Sequence, residues 1–323
     1  MKITCIGEIL IDLTQTGTDE NGIPVFKANP GGAPANVAVC ASRLGADTAF
    51  IGCVGRDQFG DQLRSVLVEN SVDTGALQTT DRASTTIALV TVDENGERSF
   101  TFLRKPGADT LIDSKTAAEA AAGTGILHFG SVSLTDAACR DAVMAAVKAA
   151  KESGAVITYD PNYRAALWPN EEYAVKTMRM PLPFCDIIKI SDEETELMTG
   201  YKNPRVAAAE LIRVMRADSD EPKLVLVTLG ADGALWRYGD REGKVPGVKV
   251  KIADTNGAGD TFFGAVLTKV AARDGLTGMT DDEIDAIVRF ANKAASVTIS
   301  RPGAIPAMPT LAELEEPTGH PDE

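Results

Sequence analysis

Asp254-Thr255-Asn256-Gly257-Ala258-Gly259-Asp260-Thr261-Phe262 separates the strand-like run Val248–Ile252 from a helical pattern over Phe262–Arg273. Gly257 and Gly259, one residue apart, let the backbone approach a ligand closely. The helix start then aims its free N–H groups and the positive end of its dipole at that ligand. Asp260 falls in the first turn, where a carboxylate beside such amides can accept a proton from a substrate hydroxyl. A tight turn with Asp260 as an ordinary N-cap fits the same residues, and spacing alone leaves both readings open.

Outward from this segment, short apolar runs alternate with amphipathic ones. Lys2–Ile6, Thr48–Val54, Ile126–Phe129, Ala155–Tyr159, Ile187–Ile190 and Leu224–Leu229 carry few or no charges, as strands covered on both faces do. Ala35–Leu44, Gly60–Glu69, Asp136–Lys151, Glu171–Met180 and Arg205–Arg216 have helical spacing, and Gly45 and Gly154 suit the position just past a helix end. Strands separated by helices predict right-handed βαβ units and a doubly wound, mainly parallel α/β sheet. Two stretches break the rhythm. Residues 12–29 are polar and turn-rich, and 84–103 alternate around Asn95-Gly96, a hairpin signal. Together they predict a small antiparallel β lid on a single domain spanning 1–323. The chain shows no internal repeat, and its acidic tail after Pro309 reads as loosely held.

Several further clusters follow predicted strands, at the sheet edge where open α/β folds bind ligands. In Pro30-Gly31-Gly32-Ala33-Pro34-Ala35-Asn36 the glycines permit close approach, and Asn36 offers both donor and acceptor to a polyol. A helix start with Pro34 at its first position is the plainer reading. Asp12 after the first strand suits two sugar hydroxyls, or a solvated surface. Thr228-Leu229-Gly230-Ala231-Asp232-Gly233 is a turn, or a loop under a nucleotide. Asp160-Pro161-Asn162-Tyr163-Arg164 sets an arginine at a strand's carboxyl end.

Composition narrows the chemistry. With 323 residues, 44% of them hydrophobic, the chain can bury a sizeable core. The 32 basic against 46 acidic side chains leave a formal charge of −14, which disfavours nucleic acid and anionic lipid as partners. Only two histidines occur, His128 in an apolar run and His320 in the tail, so His-based catalysis and multi-His metal sites are nearly excluded. The five cysteines lie in or beside apolar stretches without a CxxC pair, as buried reduced thiols do. The first residues read as a strand rather than a signal peptide, and no apolar run is long enough to span a bilayer. These features predict a soluble, cytoplasmic protein. There is no Walker P-loop, no kinase HRD/DFG set and no GxGxxG after the first strand.

Residues 31–60 and 254–264 resemble the two signature segments of the ribokinase-like (PfkB) carbohydrate kinases, and the likeness covers nearly the whole chain. Gly7–Asp12, Gly31–Asn36, His128–Leu134, Asp160–Arg164, Lys189–Glu194 and Arg301–Pro306 are most similar to fructokinases. The resemblance implies a three-layer fold and transfer of the ATP γ-phosphoryl group to the 6-hydroxyl of D-fructose. It implies Asp260 as base and Gly257, Ala258 and Gly259 as anion hole. Asp12, Gly31, Gly32 and Asn36 would hold the sugar, with Arg104 and Arg164 beside it. Lys189, Glu193, Thr228, Gly230, Gly233 and Asn292 would lie near the nucleotide. Glu196 would act on Mg²⁺ indirectly. Asp254, Thr298, Arg301 and Gly303 would form a K⁺ site, mostly through backbone carbonyls; here Asn256 and Thr298 depart from the family pattern. A homodimer would form through the lid. A 2-keto-3-deoxygluconate kinase, using Arg104 and Arg164 for the acid, is the rival within the family, alongside other furanose or ketose kinases. A non-catalytic fructokinase-like scaffold is the rival of another class, and a Rossmann dehydrogenase lacks its fingerprint here.

Overall fold

The computed structural model describes residues 1–92, 98–216 and 221–315. Its strands are β1 (Ile3–Ile6), β2 (Leu10–Thr18), β3 (Pro24–Gly31), β4 (Thr48–Gly55), β5 (Leu77–Thr80), β6 (Ile87–Val92), β7 (Arg98–Leu103), β8 (Ile126–Gly130), β9 (Val156–Asp160), β10 (Ile187–Ser191), β11 (Leu224–Thr228), β12 (Ala234–Tyr238) and β13 (Arg241–Val245). The helices are α1 (Ala33–Arg43), α2 (Gln58–Glu69), α3 (Ser114–Ala121), α4 (Ala137–Glu152), α5 (Glu171–Arg179), α6 (Thr195–Thr199), α7 (Pro204–Met215), α8 (Ala258–Arg273), α9 (Asp281–Ile299) and α10 (Leu311–Glu315).

A nine-stranded sheet runs in the order β13-β12-β11-β10-β9-β8-β1-β4-β5. Strands β5 through β11 in that order are parallel, and β12 and β13 add antiparallel at one edge. Period-2 alternation divides the apolar residues between two cores. Ile3, Cys5, Ile126, Ile187, Leu224 and Leu226 face one, with residues of α1, α8 and α9. Ile6, Leu127, Phe129, Ile188, Val225 and Val227 face the other, with residues of α4 and α7. This is why these strands read as unbroken apolar runs: neither face meets water. The chain crosses from β1 to β4 on one side and later returns to β8 on the other. The crevice above the carboxyl ends of β1 and β8 to β11 follows from that reversal.

The second sheet, order β3-β2-β6-β7, lies where the sequence predicts the lid. Its hairpins β2/β3 and β6/β7 are antiparallel, but they join through a parallel β2–β6 pair, so the sheet is mixed. Each hairpin leaves the main layer in the same direction, which forces their inner strands to run together. The Asn95-Gly96 turn and the tail from residue 316, including His320, lie outside the described residues.

Two local expectations are corrected. Residues 248–252 form no strand: their alternation lacks a neighbour to pair with, because β13 ends at Val245 and Pro246 follows. Pro34 is the second helical residue of α1, not the first, since Gly32 is the N-cap at φ 108°. The five cysteines are free and buried. Among the described residues no helix is long and apolar enough to cross a membrane.

Candidate active site

Helix α8 begins earlier than its periodicity suggests. Gly257, at φ 75°, is the N-cap, so Asp260 is the third helical residue and not a cap. A Cβ on Gly257 would lie 2.9 Å from that of Ala304, so glycine is required both by conformation and by space. The amides of this first turn have no partner inside the helix. An added Cβ on Gly259 would lie 2.8 Å from Lys189 Nζ, which places an ammonium against the first turn of α8.

Asp260 is 8% exposed and its Oδ2 accepts a 2.8 Å hydrogen bond from Asn36 Nδ2 on α1. The two helices meet closely because Gly264 stands against Cys40, where a Cβ would come within 2.8 Å. Asn36 Oδ1 is buried and has no hydrogen-bond partner among the described residues. Burial pushes the Asp260 carboxyl above the usual carboxylate range, against the Asn36 hydrogen bond and the charges of Lys189 and Arg164. Lys189 itself is bonded to Asp160 at 2.9 Å, both nearly buried. Burial works against the Lys189 charge, but Asp160, Glu194 and Asp260 outweigh it and raise its pKa. Burial holds Asp160 up at about 6 despite that lysine.

Of the predicted sugar residues, Asn36 touches Asp260, while Asp12, Gly31 and Gly32 meet at the junction of β3 with α1, the helix that carries Asn36. Gly31 ends β3 with its Cα against the Asp12 carboxylate: an added Cβ would lie 2.3 Å from Asp12 Oδ2. Gly32 packs on the backbone of Glu8, where a Cβ would lie 2.5 Å from the carbonyl oxygen. Arg164 is exposed, bonded to Tyr163 O at 3.0 Å, and its charge reaches Asp260. Arg104 has its donors taken by protein groups. Its side chain is 6% exposed, and the guanidinium binds Asp109 at 2.7 Å, Thr135 Oγ1 at 2.6 Å and Val132 O at 3.2 Å.

On the other side of α8 lies a cleft of about 630 Å³. Thr228, Gly230, Gly233 and Asn292 line it together with Ala258 and Gly259, so the first turn of α8 forms part of its wall. Its outer wall is Val248, Val250 and Ile252, the run that failed as a strand; these side chains are 43%, 38% and 59% exposed. Asn292 holds this strap in place by donating Nδ2 to Pro246 O at 3.1 Å. Glu193 and Glu196 are exposed, and Glu196 pairs with Lys202 at 3.5 Å. Neither lines the cleft. The buried carboxylate of that run is Glu194, which sequence reading passed over. It accepts from Tyr163 N at 2.7 Å and Ser191 N at 2.8 Å, and its charge acts on both Asp160 and Lys189. The Ser191-x-x-Glu194 capping-box spacing was the available signal.

Around Asp254 two loops are tied together. Its Oδ1 accepts from Asn256 N and its Oδ2 from Gly303 N, both at 3.0 Å. Thr298 is buried with its Oγ1 3.0 Å from Thr261 Oγ1, its carbonyl accepts from Arg301 N at 3.2 Å, and Arg301 pairs with Glu313 at 2.6 Å.

The sequence model of the pfkB family carbohydrate kinases matches residues 1–311. The chain belongs to that family. Among PfkB relatives, fructokinase-1 of Zea mays is 39% identical over 315 residues, covering 97% of this chain and 96% of its own. A Xylella fastidiosa fructokinase with bound ATP superposes with a TM-score of 0.86 at 32% identity, over 97% of this chain and 96% of that one. A Vibrio cholerae fructokinase holding fructose, ADP and calcium ion gives 0.84 at 30% identity, over 97% of each chain.

Proposed function

We propose that this PfkB kinase transfers the γ-phosphoryl group of ATP to the 6-hydroxyl of D-fructose, yielding fructose 6-phosphate and ADP, with Asp260 as the base. The observation that carries the proposal is a junction: Ala258 and Gly259 line the cleft while the next residue, Asp260, is bonded to Asn36 on α1. A cleft of about 630 Å³ with one apolar wall suits an adenine nucleotide. Its phosphates would end at the first turn of α8, where the amides and helix dipole stabilise anionic oxygens. Asp12, the Gly31–Gly32 turn and the unpartnered Asn36 Oδ1 would take fructose hydroxyls. Asp260 then orients one hydroxyl and accepts its proton, and most of the catalysis is positioning and charge stabilisation. The mixed sheet would close over the sugar and exclude water.

For the metal ions, the donor sets differ. Among the described residues no three acidic, His or Cys side chains cluster to hold an ion. Mg²⁺ would therefore take its ligands mainly from nucleotide phosphates and water, as its preference for retained waters allows. Bound there, it neutralises charge on the phosphates. Glu196 would act on it only indirectly, being exposed and paired with Lys202, whereas the buried Glu194 acts on the charge of Lys189. The Asp254–Gly303 tie joins the two loops whose backbone carbonyls would hold K⁺. Ile23, Val25, Phe26 and Leu103 leave apolar surface on the small sheet and support a homodimer through it. Free buried cysteines support a cytoplasmic setting.

An acid substrate fits less well, because Arg104 is already occupied by Asp109. The test compares kcat/KM for fructose, ribose, glucose and 2-keto-3-deoxygluconate in an ADP-release assay. Fructose should lead. A preference of tenfold or more for the keto acid, about 1.4 kcal/mol in transition-state binding, would overturn the substrate, and absence of turnover on any sugar would favour the scaffold.

A further inference from the structure

The Glu8 side chain is 2% exposed and lies against the Gly32–Ala33 turn at the start of α1. It lies between β1 and β2, and its Oε1 accepts from the backbone N of Ala33, the first residue of α1, at 3.3 Å. Its Oε2 accepts from Ser133 Oγ at 3.0 Å. The N-cap of α1 is Gly32, which has no side chain to cap the helix. Glu8 supplies that cap from another element, and Asn36 projects from the same helix one turn on. Its own carbonyl also fixes Gly32, which cannot carry a Cβ there.

We propose that Glu8 is a positioning residue for the acceptor sugar: its carboxylate holds the Gly32–Ala33 turn, and through α1 keeps Asn36 aligned with Asp260. This rests on the sugar-site reading above. The groups that face Glu8 are few. Arg104, tied to Asp109 at 2.7 Å, attracts it; Asp109 repels it; Cys139 lies in the same field; Ser133 is neutral. Burial outweighs the favourable contacts and holds the carboxyl at about 7. Protonation removes the charge that strengthens the bond to Ala33 N and complements the dipole of α1. The turn is therefore firm above that pH and slackens below it.

The consequence is a split between substrates. Fructose KM should rise about three- to tenfold as pH falls through about 7, the difference between a charged and a neutral hydrogen bond. ATP KM should stay flat, because its cleft lies on the other side of α8. Glu8→Gln should show the raised fructose KM at every pH. Ser133→Ala, which removes a hydrogen bond to the ionised form, should move the upturn to higher pH and decides the matter if Glu8→Gln does not fold. Failure of wild type to phosphorylate fructose at any pH would overturn the sugar site and this inference with it. Full turnover, with the same KM–pH profile in wild type and Glu8→Gln, or an unshifted upturn in Ser133→Ala, would overturn this inference alone.

Discussion

Gly31→Ala separates a binding role from a structural one. Gly31 is not in the left-handed region, so alanine meets no backbone strain and slightly restricts the unfolded chain. Its methyl carbon, however, would sit 2.3 Å from Asp12 Oδ2 and 2.9 Å from Cγ. That is roughly 1 Å short of ordinary contact, and the carboxylate is the part able to move. Fold stability should stay within about 1 kcal/mol of wild type. If Asp12 holds the sugar through charge-assisted hydrogen bonds, displacing it costs about 1.5–3 kcal/mol per bond lost. For one bond, kcat/KM for fructose falls about 10- to 150-fold, while KM for ATP is nearly unchanged. Initial rates at varied fructose and at varied ATP, with thermal unfolding of the same sample, give all three quantities. A folded Gly31→Ala enzyme with wild-type kcat/KM for fructose would refute the reasoning, because the methyl cannot enter without shifting Asp12.

Lys189→Met should leave Asp160 buried and unpaired, lowering stability by about 3–5 kcal/mol; thermal unfolding checks this, and its loss should lessen as pH falls and Asp160 protonates. Gly233→Ala should act on the nucleotide side. Gly233 has φ 90°, and its Cβ would lie 2.1 Å from Val245 O and 2.4 Å from Gly247 N, so the strap walling the cleft must move. ATP KM should rise well above its wild-type value while fructose KM changes little, which initial-rate kinetics would show.

The parallel layer was legible because strands buried on both faces leave unbroken apolar runs, and β1, β4, β8, β9, β10 and β11 have them. β12 and β13 were not, since Arg237, Glu242 and Lys244 interrupt their apolar residues; the Gly239-Asp240 pair between them was the local turn signal. Helix α9 was missed although Thr280-x-x-Glu283 forms a capping box. Val248–Ile252 shows the opposite failure: alternation states which side chains share a face, not whether a neighbouring strand exists. At the site, glycines and Asp260 stood out because few positions demand such residues. Glu194 and Glu8 did not, because a carboxylate's burial depends on helix phase and on distant donors such as Tyr163 N and Ser133 Oγ, which no local pattern displays.

Asp260→Asn tests the central claim most directly. Asparagine keeps the shape but cannot take the hydroxyl proton, so kcat should fall roughly 10²–10⁴-fold, with both KM values changing far less and the fold intact. In wild type, the raised carboxyl of Asp260 must be ionised to act, so kcat should fall on the acid side at a pH above the usual carboxylate range. That acid limb should vanish from the residual activity of the variant. A folded Asp260→Asn enzyme keeping more than about a third of wild-type kcat, far above the loss expected for a missing base, would contradict the assignment and leave Asp260 a residue of the helix start alone.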